Sequence, residues 1–138
     1  IDRETAASPE ERVELMRKSL LCDVFLMSSN AITQDGQLYN IDGNGNRVAA
    51  LVYGPRSVII VAGMNKVTPD LDAAVSRARY IAAPTNAQRF SVETGCMVTG
   101  TCSDCLSPSS VCASMLRTRI CRPAGRIKVV LVGEELGF

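Results

Sequence analysis

Residues Ser57 to Gly63, SVIIVAG, form a β-branched apolar run that reads as a strand. A strand with no polar face must sit inside a sheet that is covered on both sides, and this requirement narrows the fold more than any other feature. The rest of the chain supplies suitable partners. CDVFLMS reads as a mostly buried strand, GQLYNI as a short alternating one led in by the turn Asp35-Gly36, and RIKVVLVG as a closing strand. Helices fall between them. SPEERVELMRKSLL has Ser8 as cap, Pro9 in the first turn, Glu11 completing a capping box, and Val13, Met16 and Leu20 on one face. NRVAALVYGP reads as a short buried helix ended by Gly54 and Pro55. TPDLDAAVSRARYIAAP is a second strong helix, with Pro69 in its opening turn, Leu71, Ala74, Val75, Ala78 and Ile81 on one face, and Pro84 closing it. The alternation predicts an α/β fold, a largely parallel sheet with flanking helices, in one domain spanning 1–138. The only shift in composition is a Cys-rich segment at 91–113.

Charge and residue usage exclude several classes of function. Lys and Arg number 15 against 14 Asp and Glu, and three Tyr, three Phe and no Trp leave little to stack on bases. Nucleic acid is therefore not expected as the main partner. The apolar runs are too short to span a membrane, and a soluble, cytoplasmic protein is expected. Histidine is absent. Any chemistry must rest on Asp, Glu, Lys, Arg, Tyr, Cys or backbone groups.

In a parallel α/β fold, ligands gather where strands end and helices begin. Asp42, Gly43, Asn44, Gly45, Asn46 and Arg47 occupy such a place. The glycines permit a close approach, the asparagines carry amides, and Arg47 offers a fork of donors to a carboxylate or phosphate. The spacing matches neither GxGxxG nor a P-loop, so a small anionic ligand is a better expectation than a nucleotide, and a tight turn with a satisfied Asp42 is the bland alternative. Asn65 and Lys66 follow SVIIVAG, and Asn30 follows CDVFLMS. If those strands are neighbours, the three loops converge on one crevice.

Cys96, Cys102, Cys105 and Cys112 have the spacing C-x5-C-x2-C-x6-C among Gly, Ser, Thr and Pro. Four thiolates so placed suit a zinc ion or an iron–sulfur cluster. Two disulfides, or four free thiols, are the other readings. Cys22 reads as a small core residue.

The stretch from SSNAITQDGQLYNIDGNGNRVAALVYGP through SVIIVAGMNKV, with RARYIAAPTNAQRF, the four cysteines and GRIKVVLVGEELGF, resembles the LUD (lactate-utilisation) domain family in its short bacterial form. The resemblance implies a fold like that of NagB, RpiA and the CoA-transferases. It also implies that the chain corresponds to the C-terminal two thirds of the family domain, with the N-terminal part absent. In functional terms it implies a component of lactate or related organic-acid oxidation, working beside iron–sulfur partner subunits, but no particular substrate or catalytic residue. A different class of function also stands, a non-redox isomerase- or ligase-like enzyme or a regulatory binder of a phosphorylated or carboxylated molecule, with Asp42 or Lys66 as acid/base candidates. A missing part of the sheet would leave an edge or face exposed, so a homodimer is expected.

Overall fold

The computed structural model describes all residues, 1–138. Seven strands form two sheets rather than one. The first is wholly parallel, with β1 (Val24–Met27) and β7 (Ile127–Val132) on either side of β4 (Ser57–Gly63). The second is mixed, in the order β5 (Val67–Thr68), β2 (Ala31–Thr33), β3 (Leu38–Asp42), β6 (Ser114–Thr118). β2 and β3 form the hairpin announced by Asp35-Gly36, with Gly36 at a positive φ of 86°. β2 and β6 are short and partly polar, and periodicity did not find them.

Alternation along β2 and β3 makes the second sheet the middle layer. Ile32 and Leu38 face Met27, Val58, Ile60 and Ala62 of the parallel sheet, together with Leu51 of α2 (Asn46–Val52). Ala31, Tyr39 and Ile41 face the other way, against Ala74, Ala78 and Ala83. Burial of side chains such as Leu51, Ile60 and Val58 stabilises the fold by about 1.5–3 kcal/mol each.

α1 (Pro9–Ser19) begins as its sequence requires. Ser8 Oγ accepts from the N–H of Glu11 at 3.2 Å, and Glu11 Oε2 accepts from the N–H of Ala7 at 2.7 Å. The long helix departs from expectation at both ends. Asp70 caps α3 (Leu71–Arg77), so Pro69 lies outside it, and Pro84 does not close it. A π-helical turn, Ala78–Ala82, carries the chain into α4 (Ala83–Ala87). Its wider hydrogen-bond spacing accommodates a proline, which has no N–H to give. Ile81 consequently turns outward.

The parallel sheet is covered on one face only. Its outer face carries Val24 and Leu26 of β1, Ile59 and Val61 of β4 and Val130 of β7, with Leu26 68% exposed. An apolar run records what a strand can bury, not whether this chain supplies the cover. Cys22 lies half-buried in the turn before β1, donating to the carbonyl of Val24, rather than in the core. No helix is long and apolar enough to cross a membrane.

Candidate functional site

The loop from Asp42 to Arg47 is organised by the carboxylate of Asp42. Its Oδ1 accepts from the N–H of Asn44 at 3.2 Å, and its Oδ2 accepts from those of Arg47 at 2.9 Å and Val48 at 3.2 Å. The free amides opening α2 are thus answered from within the chain. Gly45 precedes α2 at φ 79°, the left-handed geometry that glycine adopts without strain. Gly43 packs against the backbone of Val111 and Asn44 is exposed, so these two face away from the crevice at the parallel sheet.

Arg47 is held on three sides. Its Nη2 donates to the carbonyl of Ile41 at 2.8 Å and to Oδ1 of Asn30 at 3.2 Å, while its Nε lies 3.8 Å from Asp42. Asn30 Oδ1 also accepts from the N–H of Ile41, which locks the amide. With Asn46, Arg47 lines a cavity of about 290 Å³ between α1, the end of β1 and the N-terminal turn that carries Arg3. Ser28, the residue after β1, stands in the same wall.

Lys66 reaches Ser28 from beyond the end of β4. Its Nζ donates to Ser28 Oγ at 3.0 Å, the residue is only 4% exposed, and it pairs with no carboxylate. Burial pulls its pKa below the ordinary lysine value, and the positive charges of Arg77 and Arg47 add to the effect. Arg77, also buried, spends its donors on the carbonyls of Asn30 and Asn65. Burial works against the charge of Arg47 too, Asp42 offsets this, and Arg3 across the cavity opposes it again. Asp42 thus answers Arg47 alone, and Lys66 and Arg77 stand without a carboxylate. Asn65 does not join them, because its side chain holds the C-terminal segment through Gly137 and Leu136. Of the expected residues Asn46 and Arg47 line the cavity, Asn30 and Asp42 hold Arg47 from behind, and Lys66 reaches the wall only through Ser28; Ser28, Arg3 and Arg77, which supports the carbonyl of Asn30, take part without having been singled out. A lone serine after a strand and arginines on a helix gave no signal on their own.

The four cysteines line a second cavity, of about 70 Å³, between α4 and the loop that enters β6. Cys96 opens α5 (Gly95–Thr99), while Cys102, Cys105 and Cys112 lie on the irregular chain after it. All six cysteines are unpaired, so the disulfide reading does not apply to this structure. No three Cys, Asp or Glu side chains are gathered into a ready shell for an ion. Uncharged thiols give a turn-rich segment no reason to close up. The thiols nevertheless influence one another: burial raises the pKa of Cys112, and Cys102, Cys96 and Cys105 raise it further. Cys102 Sγ accepts from the N–H of Asp104 at 3.4 Å and lies 3.8 Å from Nη2 of Arg79. Arg79 Nε, buried in the same wall, has no partner. Four thiols around one cavity supply the donor chemistry of a thiolate metal site without its closed geometry.

The LUD domain family matches residues 1–132 of the chain. No curated protein and no solved structure matches.

Proposed function

The chain belongs to the LUD domain family, and from that footing we propose that it is a component of lactate or related organic-acid oxidation that binds a small anionic ligand in the crevice between Arg47 and Lys66. The observation carrying this reading is Lys66, a buried ammonium with a hydroxyl beside it and no carboxylate. A buried charge without a counterion is costly, and an anion entering at Ser28 relieves that cost while Arg47 and Arg3 add to the attraction. The crevice lies at the carboxyl ends of β1 and β4, where parallel sheets gather ligands.

The cysteine cavity supports a second part of the proposal. Cys96, Cys102, Cys105 and Cys112 would hold a zinc ion or an iron–sulfur cluster. A cluster would supply one-electron transfer towards iron–sulfur partner subunits; zinc would order the segment. The alternative, a non-redox isomerase- or ligase-like enzyme or a regulatory binder, draws on Lys66, since Asp42 is engaged by three backbone amides. The outer face of the parallel sheet supports association as a homodimer. A cytoplasmic location is part of the same proposal.

Melting curves in rising lactate, glycolate and phosphate, against chloride at matched ionic strength, test the anion site. A specific ligand raises the melting temperature with the logarithm of its concentration, and Lys66→Met should abolish the rise. A melting temperature unmoved by all three anions would overturn the reading.

A further inference from the structure

The π-helical turn delivers one residue to the cysteine cavity that the spacing of the cysteines does not announce. Arg79 stands on that turn, and its guanidinium enters the wall shared by all four thiols. Its Nη2 is held by Asp104 Oδ1 at 2.5 Å and lies near Cys102 Sγ, while its Nε is buried with no acceptor. An extra residue in a helical turn costs hydrogen-bond geometry and re-aims the side chains on it, a device that occurs often at functional sites. Cys102 already receives a backbone N–H from Asp104 in the C-x2-C turn. With Arg79 it has two donors facing its sulfur.

We propose that Arg79 is the positioning and charge-balancing residue of a single divalent ion held by Cys96, Cys102, Cys105 and Cys112. This rests on the metal reading above and deepens it. Four thiolates around one divalent ion leave two net negative charges in a half-buried place; Arg79 offsets one of them, and its unanswered Nε gains an acceptor. Each thiol releases its proton to solvent as its sulfur binds, so loading one ion frees four protons.

The experiment uses the 138-residue chain, reduced and metal-free under argon, titrated with Co²⁺ and then Zn²⁺ in competition with a chromophoric chelator. One ion per chain is expected, with the sulfur-to-cobalt charge-transfer absorption of four thiolates. Loss of a hydrogen-bonded neighbour of a metal ligand typically costs 10–100-fold in affinity. Arg79→Met should show a loss of that order and move the charge-transfer band to lower energy, because a thiolate without its donor gives up electron density more readily. Arg79→Lys, which keeps the charge, should recover part of the affinity. Asp104 is 75% exposed, so Asp104→Asn should fold even if Arg79→Met does not; by freeing Arg79 for the sulfurs it should tighten binding and raise the band energy. If the parent chain binds no ion, the metal reading fails and this inference with it. If it binds one ion but all three variants match it in affinity and band energy, Arg79 has no such role. Iron recovered with inorganic sulfide in equal amounts would refute the single ion.

Discussion

Lys66 Nζ lies 3.0 Å from the hydroxyl oxygen of Ser28, across the join between the ends of β4 and β1, and has no carboxylate of its own. Burial, then Arg77 and Arg47, lower its proton affinity. Between the lowered folded value and the ordinary 10.5 the unfolded chain binds more protons than the native one, so Lys66 makes stability rise with pH across that window. Anion binding has the opposite slope because the ligand favours the protonated amine. Affinity for phosphate or lactate should therefore weaken as pH climbs through the same window. Affinity flat up to pH 10.5 would show that Lys66 does not hold the anion.

Asp42 closes the start of α2 with three backbone amides and stands beside Arg47. Asp42→Ala should cost about 1–2 kcal/mol for the lost cap, with a further loss from leaving the Arg47 charge unanswered. Urea unfolding measures it. A variant as stable as the parent would mean that water replaces the carboxylate at no cost.

Arg126 is buried beneath the other end of α2. It donates to the carbonyls of Ala50 at 2.6 Å, Leu51 at 2.7 Å and Pro55 at 3.0 Å. Arg126→Met leaves three acceptors without donors, at about 1–3 kcal/mol each, so a loss of about 3 kcal/mol or more is expected. Arg126→Lys should recover only part of it, since one ammonium does not span the three carbonyls. Equal stability of Arg126→Lys and the parent would contradict this geometry.

The outer face of the parallel sheet leaves Leu26 and Val130 in solvent. Light scattering at high concentration should find a dimer, and Leu26→Glu should convert it to a monomer without changing its far-ultraviolet circular dichroism. A parent chain that stays monomeric would assign that face to something other than a second copy.

The legible parts of the fold were those with local causes. The capping box of α1, the apolar run of β4 and the Asp35-Gly36 hairpin each have their reason within a few residues. The split into two sheets was not legible, because it depends on β6 pairing with β3 across the whole Cys-rich segment. Pro84 misled for a similar reason: whether a proline ends a helix depends on whether a π turn absorbs it. At the candidate site, Asn30, Arg47 and Lys66 were visible as polar residues at strand ends. Ser28, Arg77, Arg79 and Arg126 acquire their roles only through distant partners, and nothing beside them in the sequence marks them.

The central claim is that a small anion completes the charge of the Lys66 crevice. Calorimetric titration of the metal-free, reduced chain with lactate and with phosphate, repeated on Lys66→Met, tests it most directly. One saturable site for at least one of these anions is predicted, at least 10-fold weaker or absent in Lys66→Met while Asn65→Ala, whose side chain serves the C-terminal segment, binds as the parent does. Equal affinity in the parent and Lys66→Met, or no binding of either anion by the parent, would contradict the account.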